Sequence, residues 1–117
     1  MAIREPQLER DGWALDSGEE RHRQSPATFE IPSAAVRRSL KLGDTVKLLF
    51  LFLENDGTER SIQCERMWVQ VDGMEGDRYV GRLASQPVIS DVLGPGDRIT
   101  FGPEHVVSLY VPPGSRN

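Results

Sequence analysis

The sequence predicts a small, mainly β protein, either a partly open β-barrel or a strongly bent antiparallel sheet with one short helix. Two observations carry this prediction. Several short segments alternate apolar and polar residues and are separated by turns rich in Gly, Pro and Asp. Residues 33–40 have helical spacing, and residues 19–23 could add a helical turn or stay solvated. With so few elements, closing the sheet is the simplest way to hide its edges.

The chain has 117 residues, enough for one domain with a modest core. Its composition, 38% hydrophobic and 27% charged, is ordinary for a globular protein. Residues 1–26 form a polar lead-in that we expect to be partly ordered, with Trp13 docking onto the body. Residues 27–111 are the expected β-rich domain, and 112–117 a frayed tail.

The expected helix begins near Pro32 and places Val36 and Leu40 on one face. Residues 45–53 follow as an almost continuously apolar strand, which is typical of a strand buried on both faces. The sequence Asn-Asp-Gly at 55–57 then predicts a turn.

A central hairpin is predicted from residues 66–71 and 78–83, joined by a loop over 72–77. The expected pairs are Tyr79 with Val71, Gly81 with Val69 and Leu83 with Met67. A slip of one residue would bury Arg78 and Arg82, at several kcal/mol each if they lack partners. The expected register places Trp68 directly across from Arg82, on the opposite face of the hairpin.

A short internal echo relates residues 40–48 to residues 93–101. Each copy contains a Gly-Asp turn followed by a strand with alternating apolar residues. Gly permits a tight backbone, and Asp can accept hydrogen bonds from nearby main chain. Nine residues are too few for a repeat architecture. We therefore expect one strand-initiating device, used twice.

Charge and cysteine content restrict the class of protein. The net charge of −4 disfavours broad binding to nucleic-acid phosphates. The single cysteine, Cys64, cannot form an internal disulfide, which fits a reducing compartment. The N-terminus lacks the apolar stretch of a secretory signal, and the apolar run 48–53 is far shorter than the roughly 20 residues that span a bilayer. We expect a cytoplasmic protein without a membrane partner.

Motifs for catalysis or cofactor binding are missing from the sequence. No phosphate-binding glycine loop or dinucleotide fingerprint is present. The residues best suited to bind a metal, His22, Cys64 and His105, are widely scattered. Cys64 and His105 are the only conceivable nucleophile and base, and neither lies in a nucleophile-elbow context. We expect no catalytic residue, no metal and no cofactor, and hence no enzyme.

One candidate binding face is the outward row of the hairpin, which consists of Arg66, Trp68, Gln70 and Arg82. A Trp flanked by guanidinium groups can stack an aromatic ligand, hold an anion or anchor a protein partner. The alternative is that the N-terminal segment with Trp13 lies over Trp68 and buries it.

A second candidate is the turn 102–105, with Glu104 and His105 at the start of the last strand. We expect a structural turn that holds a hydrogen-bonded histidine. A pH-sensitive contact is the alternative.

Several motifs together resemble the bacterial YegJ-like family of domains of unknown function. They are CERMWV at 64–69, GDRYVGRL at 76–83 and FGPEHV at 101–106, with TFEIP at 28–32 and GDTVKL at 43–48 upstream. The resemblance covers roughly residues 12–110 and implies a small bacterial domain with no defined catalytic residue. Where related chains often have Asn-x-Pro after the Gly-x-Leu strand, this chain has Ser85-Gln86-Pro87.

The expected function is that of a non-enzymatic bacterial module that binds another protein, a class that includes immunity and antitoxin-like proteins. The alternative is a small-molecule or nucleotide-binding protein, with the ligand stacked on Trp68 and its anion held by Arg66 or Arg82. Single-stranded nucleic acid on the same face is a third possibility that the acidic charge disfavours. The oligomeric state stays open.

Overall fold

The computed structural model describes residues 5–55 and 57–112. The strands are β1 (Trp13–Leu15), β2 (Thr45–Asn55), β3 (Arg60–Glu75), β4 (Arg78–Leu83), β5 (Arg98–Phe101) and β6 (Val106–Leu109). The helices are α1 (Leu8–Asp11), α2 (Gly18–Gln24) and α3 (Ala34–Arg37), with a one-turn 3₁₀ helix at Pro103–His105. The predicted mainly β class is confirmed, with three short helices among the described residues instead of one.

The sheet is a curled antiparallel half-barrel centred on β2. Strands β2 to β5 form a meander in chain order. The other edge of β2 is shared by two strands, since β1 pairs with Phe50 to Phe52 and β6 pairs with Val46 to Leu48. Only the 3₁₀ turn separates β5 from β6 in sequence, yet they belong to opposite edges of the sheet. The sheet must therefore curl to bring those edges together.

The core lies on the inner side of this curl. Alternation along the strands sends one side chain in every two to that side. Its buried residues are Val46, Leu48, Phe50, Phe52, Met67, Val69, Val71, Tyr79, Leu83, Leu93, Ile99, Phe101 and Val106. Trp13 packs against this core, with its ring 5.8 Å from that of Phe50. The expected docking of Trp13 onto the body is thus confirmed.

The central hairpin has the predicted faces but not the predicted register. The five residues expected to face inward together are all buried: Met67, Val69, Val71, Tyr79 and Leu83. Leu83 pairs with Val69, however, and Arg82 pairs with Gln70 instead of Trp68. The predicted register is therefore wrong.

The turn explains the shift in register. The strands continue to Glu75 and Arg78, which pair directly, so that Gly76-Asp77 is a two-residue turn in place of the predicted loop. The length of a hairpin turn sets its register. A bulge between Val71 and Gly73 inserts one unpaired residue, Asp72, which keeps both strands' apolar residues on the inner side.

The predicted device that starts two strands is confirmed. At the first turn Gly43 has a φ of 91°, and Asp44 Oδ2 accepts a 2.8 Å hydrogen bond from the N–H of Lys41. The Gly43 N–H donates to the carbonyl of Val71 at 2.8 Å. The second turn has the same geometry. Gly96 has a φ of 90°, and the N–H of Gly94 donates to Asp97 Oδ2 at 2.8 Å. The N–H of Gly96 donates to the carbonyl of Leu83 at 2.7 Å. Each turn starts one strand and donates a hydrogen bond to the main chain of another.

The predicted helix at 33–40 is shorter than expected. Ser33 caps α3 by accepting a hydrogen bond from the N–H of Val36, and the helix ends at Arg37. Leu40 packs against the core as expected, whereas Val36 is exposed. Lead-in residues 5–26 contribute α1, α2 and β1, of which β1 joins the sheet. The predicted frayed tail, 112–117, lies outside the described residues except for Pro112.

None of the helices within residues 5–55 and 57–112 is long and apolar enough to cross a membrane.

The close packing of the hairpin can be tested at Gly81 in β4. A Cβ added at Gly81 would lie 2.5 Å from the carbonyl oxygen of Gln70 and 2.7 Å from Cγ1 of Val69. We expect Gly81→Ala to lower the free energy of unfolding by about 1–3 kcal/mol, because the strands must move apart. Denaturant unfolding measures this.

The matched control is Gly73→Ala in the same hairpin, where an added Cβ meets nothing within 4 Å. Equal losses of stability in the two variants would contradict the packing described for Gly81.

Candidate binding face

The lead-in lies against the outer side of the sheet. At the start of α2, a Cβ on Gly18 would touch Val107 of β6, so the helix approaches this strand closely. Further along α2, Arg21 pairs with Asp16 at 2.7 Å and lies 4.0 Å from the sulfur of Cys64 on β3. The lead-in therefore covers part of the outer face.

Two aromatic rings on this face are in contact with cations. The guanidinium of Arg66 lies 5.4 Å from the ring centre of Phe29. The ammonium of Lys47 lies 4.6 Å from the ring centre of Trp68, its cross-strand neighbour. The ring of Tyr110 meets Trp68 edge to face at 5.7 Å. We call the set Phe29, Lys47, Arg66, Trp68 and Tyr110 the aromatic–cationic face.

A cavity of about 220 Å³ opens on this face. Its lining is Thr28, Phe29, Glu30, Lys47, Arg66, Val107 and Ser108. Within the described part of the chain, Lys47 and Arg66 have no ion pair. The arginines that do pair with carboxylates there are Arg10, Arg21, Arg23, Arg37, Arg60, Arg78, Arg82 and Arg98. The face thus concentrates two available cations in an acidic protein.

The structure brings together part of the predicted row. Arg66 and Trp68 lie on the aromatic–cationic face, and Gln70 is exposed further along β3. Arg82 lies opposite Gln70, and its Nε donates to Asp72 at 3.0 Å. Arg66 and Arg82 therefore do not flank Trp68 as the predicted register required.

Trp13 does not cover Trp68, since its ring stacks on Phe50 among the core residues. Trp68 is partly exposed, and its covering comes from Lys47 and Tyr110 instead. Its backbone N–H donates to Ser85 Oγ at 2.9 Å. The hydroxyl of Ser85 thus supports the strand that carries Trp68.

Sequence reasoning missed Lys47, Phe29 and Tyr110. A turn confined to the predicted residues 55–57 would place Lys47 opposite Glu65. The observed pairing of Asn55 with Arg60 makes Trp68 its neighbour instead, so the sequence did not indicate this contact. Phe29 lies in an irregular segment whose position depends on long-range packing. No periodic pattern in the sequence indicates where its ring lies.

Cys64 is an exposed residue on β3. Partial burial of its thiol raises the pKa, against the opposing effect of Arg21. A raised pKa leaves less thiolate at neutral pH and so makes the sulfur a weaker nucleophile. Within residues 5–55 and 57–112, no three His, Cys, Asp or Glu side chains are grouped so that they could hold a metal ion.

The second candidate, Glu104 with His105, forms a structural turn. The N–H of Gly102 donates to Nδ1 of the buried His105 at 3.0 Å, so the neutral ring carries its proton on Nε2. That nitrogen lies 3.7 Å from Glu104 Oε2, and Glu104 also pairs with Arg78 at 2.9 Å. This is the hydrogen-bonded histidine that the sequence favoured.

Burial lowers the pKa of His105 below its ordinary value of 6.5, and Arg78 acts in the same direction against the carboxylates of Glu104, Asp16 and Glu19. Burial on its own raises the pKa of Glu104, but main-chain hydrogen bonding, His105 and Arg78 outweigh it, so the net shift is downward.

A buried arginine ties this turn to the rest of the fold. Arg37 is 7% exposed, and its Nη1 donates to Glu19 Oε2 at 2.5 Å and to the carbonyl of Pro103 at 2.9 Å. The hydroxyl of Tyr79 donates to the carbonyl of Arg37 at 2.9 Å. These bonds join α2, α3, β4 and the 3₁₀ turn, and they explain how the charged side chain of Arg37 can be buried.

Comparisons of the chain with family models, with curated proteins and with solved structures find no match. The resemblance to the YegJ-like family therefore stays a prediction.

The histidine turn predicts a pH dependence of stability. Because the pKa of His105 is lower in the fold than in the unfolded chain, the unfolded state binds more protons once the pH falls below about 6.5. The free energy of unfolding should therefore fall from pH 7 to pH 5, by at most about 1.4 kcal/mol per pH unit from this group. The contribution of Glu104, whose pKa is lowered from 4.5, is lost only at more acidic pH.

Urea unfolding at successive pH values measures this dependence. His105→Asn keeps an acceptor near Gly102 but cannot titrate, so its stability should change less between pH 7 and pH 5. Identical profiles for wild type and His105→Asn would contradict this role for His105.

Proposed function

We propose that the protein is a non-enzymatic binding module that recognises an acidic surface of another protein through the aromatic–cationic face. The observation that carries this proposal is the pair of cations, Lys47 and Arg66, each placed over an aromatic ring and neither paired with a carboxylate in the described residues. The chain as a whole carries a net charge of −4, so this face differs from its average surface.

Contact with the rings favours binding because it restricts the cations beforehand. A long charged side chain usually loses rotamer freedom when it is immobilised in an interface, by about 0.5–1.5 kcal/mol for each side chain. Lys47 and Arg66 already lie against Trp68 and Phe29, so less freedom remains to be lost. Trp, Tyr and Arg are also the residues that most often dominate protein interfaces.

The size of the cavity favours a protein over an enclosed small molecule. Ligand pockets generally have volumes of about 300–1,000 Å³. The cavity between Lys47 and Arg66 has about 220 Å³, which suits an acidic side chain entering from a partner's surface better than a whole nucleotide. The other proposed anion contact, Arg82, is already paired with Asp72.

Reversing one charge on this face tests the proposal. Proteins retained by the immobilised chain from a lysate of the source organism are identified, and their affinity is then measured by calorimetry. We expect Arg66→Glu to lower the affinity for the specific partner at least about tenfold, because like charges opposed in an interface cost several kcal/mol. The wild-type affinity should also fall as salt is added.

Arg38→Glu is the matched control. Arg38 is also exposed and without an ion pair in the described residues, but it lies at the end of α3. The two variants change the net charge equally. Equal weakening by both, or undiminished binding by Arg66→Glu, would contradict recognition at the aromatic–cationic face.

A further inference from the structure

We propose a second binding site, at the edge of β3, that takes an extended basic peptide segment by strand addition. It is distinct from the aromatic–cationic face and does not depend on the function proposed for that face. The site consists of the backbone of Ile62 and Cys64 together with the groove beside them.

The pairing of β2 shows which backbone groups of β3 point outward. Leu53 uses its N–H to donate to the carbonyl of Gly12 at 3.0 Å, on the side of β2 away from β3. In an antiparallel ladder, a residue directs its N–H and its C=O to the same side. The facing pair Leu53 and Ile62 is therefore not hydrogen-bonded, and Ile62 directs its own backbone groups away from β2.

The same alternation applies two residues later. Leu51 faces Cys64, so Cys64 also directs its N–H and C=O to the outer edge. Further along β3, the carbonyl of Trp68 points to this edge too, where it accepts from the N–H of Ala84 at 2.9 Å. The alternation of β3 is thus fixed independently from both ends.

Strand β4 covers only the far part of this edge, since its pairing with β3 begins at Val69. The loop after β4 reaches Glu65, whose carboxylate accepts from the N–H groups of Val88 and Ile89 at 3.0–3.1 Å. Before that point, within the described residues, the edge-facing backbone groups of Ile62 and Cys64 form no hydrogen bond. They are a short template for another strand.

A groove of about 520 Å³ lies beside this edge. Its lining is Glu54, Glu59, Ser61, Gln63, Val88 and Ile89. Ile62 and Val88 are 58% and 86% exposed, so apolar contact is available to alternate side chains of an added strand. Groove and edge together provide main-chain bonding and side-chain contact.

The charge of the groove selects a basic occupant. Glu54 lines it and has no ion pair within the described residues. A second copy of the chain would bring an equally acidic edge against this one and be repelled. An extended segment with Lys or Arg at alternate positions complements both the charge and the main-chain pattern.

The probe is the peptide acetyl-Lys-Val-Lys-Val-Lys-Val-amide, titrated into the full chain labelled with ¹⁵N. We expect chemical-shift changes at residues 61–65 and 88–89, and slower amide hydrogen exchange at Ile62 and Cys64. The Gln63 amide, which faces β2, is the internal reference and should be protected before the peptide is added. Peptides with Glu in place of Lys, or with Pro in place of the central Val, should bind at least about tenfold more weakly.

Cys64→Pro removes an outward N–H while leaving the ladder to β2 intact. Cys64→Pro should lower the affinity for the peptide at least about tenfold. Glu54→Lys should also lower this affinity, without any change to the backbone. Arg38→Glu, which changes the charge by the same amount at the end of α3, should bind the peptide as well as the wild type.

The strand-addition site would be overturned by any of several results. They are chemical-shift changes confined to other residues, equal binding of the Lys and Glu peptides, and wild-type affinity for the Lys peptide in the folded variants Cys64→Pro and Glu54→Lys. Absence of any binding by the Lys peptide would overturn it as well.

Discussion

The two-sided pairing of β2 is the constraint on which the rest of the structure depends. One edge of this strand carries β3, and the other carries β1 and β6 end to end. Strand β6 can reach β2 only because the chain reverses within the 3₁₀ turn after β5. Buried polar groups hold that turn, with the ring of His105 bonded to Gly102 and Arg37 bonded to the carbonyl of Pro103. If this turn opened, β2 would lose β6, and the inner core would be open along one side.

Curling of the sheet makes its two faces chemically different. The inner face is filled by apolar side chains, whereas the outer face of β2 and β3 carries Lys47, Arg66 and Trp68. The lead-in covers this outer face only in part, and Lys47 and Arg66 lie against aromatic rings without an ion pair in the described residues. Elsewhere in the described chain most arginines have carboxylate partners, which stabilise the surface but leave it little charge with which to attract a ligand. The aromatic–cationic face thus follows from the fold: the strands that close the core also align cations and rings on the other side.

Local chemistry explains what the sequence could predict. Gly43-Asp44 and Gly96-Asp97 have backbone requirements that other residues meet poorly, so both turns could be found from the residues alone. Alternation also identified the buried members of the central hairpin. The predicted register of the hairpin was wrong because the hairpin contains a bulge at Asp72 and a tight turn at Gly76. Each of these features shifts the pairing of the two strands, and neither is marked by an unambiguous sequence pattern. Two of the five residues of the aromatic–cationic face, Arg66 and Trp68, could be predicted from a single strand. Phe29 and Lys47 join it through contacts between distant segments, and burial of Arg37 depends on such contacts as well.

The separation of the two faces is tested most directly by two neighbouring residues of β3. Met67 is 1% exposed in the core, while Trp68 lies on the aromatic–cationic face. Truncating the buried methionine should lower the free energy of unfolding by about 2–5 kcal/mol. Truncating Trp68 removes one edge-to-face contact and one cation–π contact and should cost less than about 2 kcal/mol. The measurement is equilibrium denaturant unfolding of Met67→Ala and Trp68→Ala beside the wild type. A clearly larger loss for Met67→Ala is the predicted result; a loss for Trp68→Ala that equals or exceeds it would show that Trp68 belongs to the core and would contradict a binding role for this face.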